Sequence, residues 1–270
     1  GESWADLAGR ASRLGFRGVA VPFDPAWTDA DLLVIRQACD EVGIRVDELA
    51  CPCNLVTPRD EEAKEVFEQL QQALEAGAIL NCDHVVTTTG SRHPDPSAAR
   101  APHRDNWSDA TWDLLVRRIW ALLEAVEDIG VCLCLEPTVT STLNSLDQLA
   151  DLTADASSVR VRIVLDPAAI FTPLAARHPR LALAEIFGRL TDTIVLARAT
   201  DVALIEAGPE PTLEPVTLGQ GALDYVTYLK LLDALELDTP LVVKRQPTDE
   251  AYEAAHQFLA AQAREAGVAL

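Results

Sequence analysis

Two carboxylates stand at the ends of apolar runs. Glu136 closes Cys132-Leu133-Cys134-Leu135 and Asp166 closes Ile163-Val164-Leu165; each is followed by a proline. A carboxylate where a buried strand stops is desolvated unless something pairs with it. Such a group suits metal ligation or acid–base chemistry, and a salt bridge that closes the end of the sheet is the plain structural alternative. Arg198 and Lys244 take the equivalent places on two later runs, Thr193–Arg198 and Pro240–Arg245, and Arg92, His93 and Arg245 fall close to strand ends as well. Five basic groups at one end of an acidic chain point to a cationic mouth for an anionic or hydroxyl-rich ligand. The competing reading is that Arg198 and Lys244 neutralise Glu136 and Asp166.

Other groups carry less. His84 precedes a strand, and His178 and His256 lie in or beside helices, places typical of surface or packing histidines. His93, after Thr89-Gly90-Ser91-Arg92, and His103 share one long loop and are the two histidines placed to bind a ligand or move a proton. Gly219-Gln220-Gly221 before a helix could present amides to a phosphate, but two glycines are unspecific and a tight loop is the favoured reading. No P-loop, dinucleotide fingerprint, nucleophile elbow or His-Glu-x-x-His motif occurs. Six cysteines are too sparse for a disulfide framework and read as buried free thiols. The pairs Cys51/Cys53 and Cys132/Cys134 have the spacing of one strand face rather than of a zinc knuckle.

These groups need elements to position them. Short β-branched runs at Gly18–Phe23, Arg45–Cys51, His84–Gly90, Val131–Pro137, Arg162–Pro167, Thr193–Arg198 and Pro240–Arg245 read as seven buried parallel strands. Amphipathic segments alternate with them. Residues 3–14 come first; Thr28 caps 29–42 with Gly43 as the stop, and Ser108 caps a helix to about Asp128 with Gly130 beyond it. Helices at 62–80, 145–156, 182–189, 222–235 and 248–266 complete the set. Pro-containing stretches at 93–102 and 207–216 read as irregular loops after strands. The unbroken alternation predicts one domain over 1–270, a (β/α)8 barrel one strand short, with loops after strands forming the active-site face. The first strand is expected to be missing from, or replaced in, a chain that opens on a helical pattern and contains no methionine.

The chain has 270 residues, with 22 Lys and Arg against 42 Asp and Glu, for a net charge of −20. That balance argues against nucleic acid and anionic membrane as partners. No apolar run approaches a membrane span and no signal peptide is visible, so a cytoplasmic location is expected.

Ala11-Ser12-Arg13-Leu14-Gly15-Phe16-Arg17-Gly18-Val19 resembles the helix-to-strand entry of xylose-isomerase-like TIM barrels, the sugar and sugar-phosphate isomerases and epimerases of the AP endonuclease 2 superfamily. Leu133–Pro137 is similar to that family's metal-binding Glu strand, Val164–Pro167 to its Asp strand, and Gly219-Gln220-Gly221-Ala222-Leu223-Asp224-Tyr225 to its Gly-x-Gly-x-x-Asp-Tyr turn. The resemblance covers nearly the whole chain. It implies a divalent cation, Mn, Mg or Zn, held by Glu, Asp, His and Glu. Glu136 and Asp166 match the first two, but the His position falls on Arg198 and the last Glu on Lys244. A ring of two anions and two cations is neutral without metal, so the expected site has none, with a divalent metal on Glu136 and Asp166 as the alternative.

The resemblance implies an isomerase/epimerase-like protein acting on a sugar, sugar phosphate or sugar acid, a small polyhydroxylated or anionic substrate. Glu136 is the expected proton-transfer base and Lys244 the electrophile in place of a metal. Arg198, Asp166, His93, Arg92 and Arg245 are the expected substrate contacts, and a homodimer or homotetramer is a compatible assembly. The alternative is a non-catalytic barrel that binds a ligand or partner, its metal site replaced by salt bridges. A Schiff-base enzyme on Lys244 is disfavoured by the neighbouring carboxylates. An endonuclease IV-like lesion enzyme is disfavoured by five scattered histidines and the net charge.

Overall fold

In the computed structural model, which describes residues 2–270, every one of the seven expected strand segments is a strand. The chain divides into two compact units, Gly1–Val164 and Leu165–Leu270.

In the first unit α1 (Trp4–Arg13), β1 (Gly18–Pro22), α2 (Asp29–Val42), β2 (Arg45–Asn54), α3 (Asp60–Leu80), β3 (His84–Thr88), α4 (Asp109–Ala125), β4 (Cys132–Leu135), α5 (Leu146–Ala156) and β5 (Val161–Leu165) alternate. Each strand pairs parallel with the next, β1 to β5 in sequence order. Such strands are covered on both faces and must be apolar throughout; Leu49, Val85, Leu133, Leu135 and Ile163 are fully buried. α3 turns Val66, Leu70, Ala73, Leu74 and Gly77 inward, the spacing of one helical face. Leu70 and Leu74 are wholly enclosed, each contributing roughly 1.5–3 kcal/mol of apolar burial.

Caps fix where these helices begin and end. Thr28 and Asp31 form a reciprocal capping box for α2, and Gly43 in the left-handed region (φ 71°) ends it. α4 stops at Ala125, earlier than the expected Asp128. Arg160 reaches from just before β5 to the carbonyls of Leu123, Val126 (2.7 Å) and Ile129 (2.9 Å). A guanidinium collecting the orphan carbonyls of the last turn ends the helix before Gly130 can.

The second unit holds α6 (Pro167–Ile170), α7 (Pro173–Arg177), α8 (Pro179–Leu190), β6 (Ile194–Ala199), β7 (Asp201–Ile205), β8 (Thr212–Val216), α9 (Tyr225–Asp233), β9 (Leu241–Val243) and α10 (Asp249–Ala266). β6 and β9 pair parallel, Arg198 opposite Val242. One expectation is corrected here: 207–216 is not an irregular loop throughout. β7 and β8 form an antiparallel hairpin, Val202 opposite Pro215 and Ile205 opposite Thr212. Proline is tolerated because β8 has a partner on one side only. Among the described residues no strand precedes α1, whose N-cap is Ser3.

Candidate functional site

β5 runs straight into Pro167, whose fixed φ starts α6 and leaves Asp166 at the junction. The Asp166 side chain is buried and makes no cap bond to its own helix. Its two oxygens are used elsewhere. Thr200 Oγ1 donates to Oδ1 at 2.5 Å, and Lys244 Nζ donates to Oδ2 at 2.7 Å. The two ends of this pair differ in exposure, Asp166 at 4% and Lys244 at 48% of the side chain. The ammonium of a half-exposed side chain therefore rests on an enclosed carboxylate.

Two tyrosines set the backbone beneath these groups. Tyr225 and Tyr228, three residues apart on α9, pack edge to face with centroids 5.9 Å apart. Tyr225 donates its hydroxyl to the carbonyl of Thr200 at 2.7 Å. Tyr228 lies within reach of the carbonyls of Leu165 (3.4 Å) and Arg198 (3.3 Å), the residues that lead into Asp166 and Thr200. Burial pushes both phenols well above their ordinary range, so they remain donors at any physiological pH. Arg198 itself is buried on β6, two residues before Thr200.

The glycine loop has a different purpose from phosphate binding. The buried carboxylate of Asp201 accepts the amides of Gly219 (3.0 Å) and Gly221 (2.9 Å) on Oδ2, and those of Leu223 (3.1 Å) and Val202 (3.0 Å) on Oδ1. The anion those amides bind is the protein's own. A Cβ on Gly221 would lie 2.2 Å from Asp201 Oδ1, and one on Gly219, where φ is 83°, would lie 2.5 Å from the Phe258 ring. This knot seats Asp224, the N-cap of α9, which accepts the Thr227 amide and an ion pair from Arg180 at 2.6 Å.

Glu136 belongs to the first unit. It directly follows β4, is half-buried, and its amide donates to the carbonyl of Thr87 at 2.9 Å. Arg92 is turned into that unit, its guanidinium on the carbonyls of Val56 (2.9 Å) and Thr57 (3.2 Å). His93 and His103 do meet, edge to face at 5.9 Å. Each accepts on Nδ1 from the amide two residues ahead, that of Asp95 or Asp105. That places the proton of the neutral ring on Nε2, away from what a metal bound at Nε2 requires. Arg245 is exposed at the end of β9.

Several positioning residues escaped sequence reasoning. Asn54 pairs with Ser91 through both its amide ends (2.8 and 3.0 Å), and Asn106 accepts the Arg92 amide while donating to the carbonyl of Thr140, which together order the long loop after β3. Tyr225 was legible only as the last residue of the Gly-x-Gly-x-x-Asp-Tyr turn, and Tyr228 not at all. Thr200 had one weak signal, its place two residues beyond Arg198.

Residues 8–262 match the family model described as xylose isomerase-like TIM barrel. The chain belongs to that family. Its fold is accordingly the TIM barrel expected from the strand and helix alternation. A xylose isomerase-like TIM barrel protein from Mycobacterium smegmatis, in complex with magnesium, is 14% identical, with a TM-score of 0.73 over 97% of this chain and 89% of that one. The 3-keto-D-glucoside 4-epimerase of E. coli is 16% identical, with a TM-score of 0.73 over 97% and 95%. A D-psicose 3-epimerase with D-tagatose from Clostridium cellulolyticum H10 is 14% identical, with a TM-score of 0.71 over 97% and 94%. No curated protein gave a significant match.

Against the family's metal ligands, the residues of this xylose isomerase-like barrel do not fit. The motif resemblance sets Arg198 and Lys244 at the family's His and last Glu positions. The Asp166 oxygens face a hydroxyl and an ammonium. Among the described residues, no three His, Cys, Asp or Glu side chains are grouped so that they could hold a metal ion. No helix is long and apolar enough to cross a membrane.

Proposed function

We propose that this barrel is a sugar isomerase- or epimerase-like enzyme in which the Lys244 ammonium supplies the positive charge that its relatives' site motif assigns to a metal. The observation that carries the reading is the Lys244–Asp166 pair at 2.7 Å, with Thr200 on the other carboxylate oxygen. Asp166 aims the ammonium, and the half-exposed Lys244 donates to a substrate carbonyl. As a proton leaves the adjacent carbon, charge builds on that carbonyl oxygen. A fixed ammonium is worth most at that moment. Glu136 is the base on the strength of its motif position. It takes the proton from the hydroxyl-bearing carbon next to the carbonyl and delivers it to the carbonyl carbon while the hydroxyl proton passes to the former carbonyl oxygen, or a proton from solvent returns to the first carbon from the face opposite Glu136. Those two outcomes are isomerisation and epimerisation. Arg198 and Arg245 bind substrate oxygens, and the substrate class is a small ketose, its phosphate or a sugar acid. The chain acts as one domain.

The test is solvent exchange. Incubation in D2O with a panel of ketoses, ketose phosphates and keto sugar acids should place deuterium on carbon next to the carbonyl of at least one member. The rate should survive a chelator and fall at least 100-fold in Lys244→Met and in Glu136→Gln. Exchange that requires added Mn2+, or that persists in Lys244→Met, overturns the proposal, as does the absence of exchange across the panel.

A further inference from the structure

Cys51 and Cys53 lie on β2 in the first unit, remote in sequence from the groups above. Their sulfurs are 3.6 Å apart and share a hydrogen bond, and the two residues are 0% and 7% exposed. The chain contains its own control, because Cys132 and Cys134 have the same spacing on β4. There the Cys134 sulfur turns to the carbonyl of Cys132 at 3.7 Å instead of to the other thiol. β2 is also irregular at this point: Ala50 pairs with Val86 and Asn54 with Thr88, four steps on one strand against two on the other. Such a bulge bends a strand and re-aims its side chains. Two regular strand steps separate Cα atoms by about 6.6 Å, near the upper limit of about 6.8 Å for a disulfide. The bulge supplies the slack. Pro52 between the thiols has no amide to lose from the ladder.

We propose that Cys51 and Cys53 are a peroxide-reactive dithiol that closes reversibly to an intramolecular disulfide. Cys53 is the attacking group, being the one of the two that still reaches the surface, 7% exposed against 0% for Cys51. The hydrogen bond from Cys51 holds the Cys53 thiol below its usual range, and the same bond, with burial, pushes Cys51 up. The Cys53 thiolate attacks one peroxide oxygen and breaks the O–O bond. Its sulfur is oxidised to the sulfenic acid, and the second oxygen takes a proton and leaves as water, or as an alcohol from an organic peroxide. The Cys51 sulfur then displaces the sulfenic oxygen, which leaves as water with the Cys51 proton. Two thiols lose two electrons and one peroxide is reduced. A link across two positions of one strand retains some strain, which makes it easily reduced and hence reversible. Burial pushes both Cys132 and Cys134 up, so the second pair is the less reactive.

The whole protein is exposed to hydrogen peroxide at pH 7, free thiols are alkylated, and tryptic peptides are weighed. Residues 46–59 carry only Cys51 and Cys53, and 119–160 carry only Cys132 and Cys134. Peptide 46–59 should lose two hydrogens and resist alkylation at least 10-fold sooner than 119–160, and dithiothreitol should restore it. Cys51→Ala should stop at one added oxygen on the same peptide, whereas Cys53→Ala should leave Cys51 reduced. If either variant misfolds, the wild-type comparison of the two peptides still decides. Equal or slower oxidation of 46–59, or its progress to two added oxygens with Cys51 still alkylatable, overturns the proposal.

Discussion

Lys244→Met removes an ammonium and keeps most of the stem, leaving Asp166 enclosed with Thr200 alone among the two donors that hold it. The structure bounds the cost. An exposed ion pair contributes about 0–1 kcal/mol, and removing one partner of a fully buried pair costs about 3–5 kcal/mol. Here the carboxylate is 4% exposed and the lysine 48%, so the interaction falls between the two regimes. About 1–2 kcal/mol at pH 7 is expected, since water can reach the vacated side of the carboxylate but not its inner face. Asp166→Asn removes the charge that needs the ammonium. In that background Lys244→Met should cost about 0.5 kcal/mol or less, the usual range for a surface substitution. The assay is urea unfolding of the four proteins followed by circular dichroism, at low salt and in 1 M NaCl. The cycle should give a coupling of about 1–2 kcal/mol. Half or more should remain at high salt, because the buried end is poorly screened. Additivity within about 0.3 kcal/mol would show that the 2.7 Å contact aims nothing.

Other outcomes follow from the neighbouring geometry. Asp201→Ala strands the amides of Gly219, Gly221 and Leu223, and should cost about 2–4 kcal/mol in urea unfolding, reduced from a fully buried loss because both glycines are exposed. Gly221→Ala should do comparable damage through its 2.2 Å clash; if both variants unfold like wild type, the knot is dispensable. Burial works to raise the Asp224 carboxyl, but the Arg180 ion pair and the Thr227 amide outweigh it and hold the group below its ordinary value. That stabilisation is present above the unfolded carboxylate value of about 3.9 and is lost as pH falls through the lower folded value. Arg180→Ala should therefore weaken the protein at pH 7 but not near pH 2; an undiminished difference at pH 2 removes the charge explanation. On the motif resemblance, Lys244→Glu restores the family's ligand type, yet calorimetry should show only weak Mn2+ binding, because the same resemblance sets Arg198 at the His position; tight binding would mean that Arg198 does not repel the metal. Lys64→Ala and Lys230→Ala, both on exposed helix faces, should shift stability by about 0.5 kcal/mol or less.

The parallel strands were legible because both faces are covered, which forces near-continuous apolar runs such as Val131–Leu135 and Arg162–Leu165. The hairpin was not. Pro209, Pro211 and Pro215 punctuate 207–216, and β8 alternates weakly because one edge and much of its surface face solvent. Nor was the end of α4, since the arginine that takes its carbonyls lies 34 residues beyond Val126. At the candidate site, position at strand ends singled out Asp166 and Lys244, which meet across 78 residues. Nothing local in Arg198-Ala199-Thr200 says that Thr200 will face Asp166, because that depends on how far past β6 the chain stays extended. Gly219-Gln220-Gly221 was legible as a tight loop, but not that its amides close on Asp201, eighteen residues before the first glycine.

Asp166 and Asp201 are both buried carboxylates in the second unit, and how each is satisfied indicates its use. The donors to Asp201 are backbone amides of its own loop, fixed once the chain has turned at two glycines. They cannot be lent to a ligand without opening the loop. Those to Asp166 are a hydroxyl and a half-exposed ammonium on a flexible stem. An ammonium has three donor hydrogens on a rotatable stem, so holding Asp166 Oδ2 with one of them does not by itself exclude a bond to a substrate oxygen. An arginine there would spread its charge over a planar fork and match the carboxylate with two parallel bonds. In a chain with 19 Arg and three Lys, a lysine at this place is the choice that keeps a compact charge. Lys244→Arg should therefore keep the stability of the pair to within about 0.5 kcal/mol while lowering solvent exchange on the responsive ketose by at least 10-fold. Full activity in that variant would show that positive charge alone, and not the shape of the ammonium, is what the site requires.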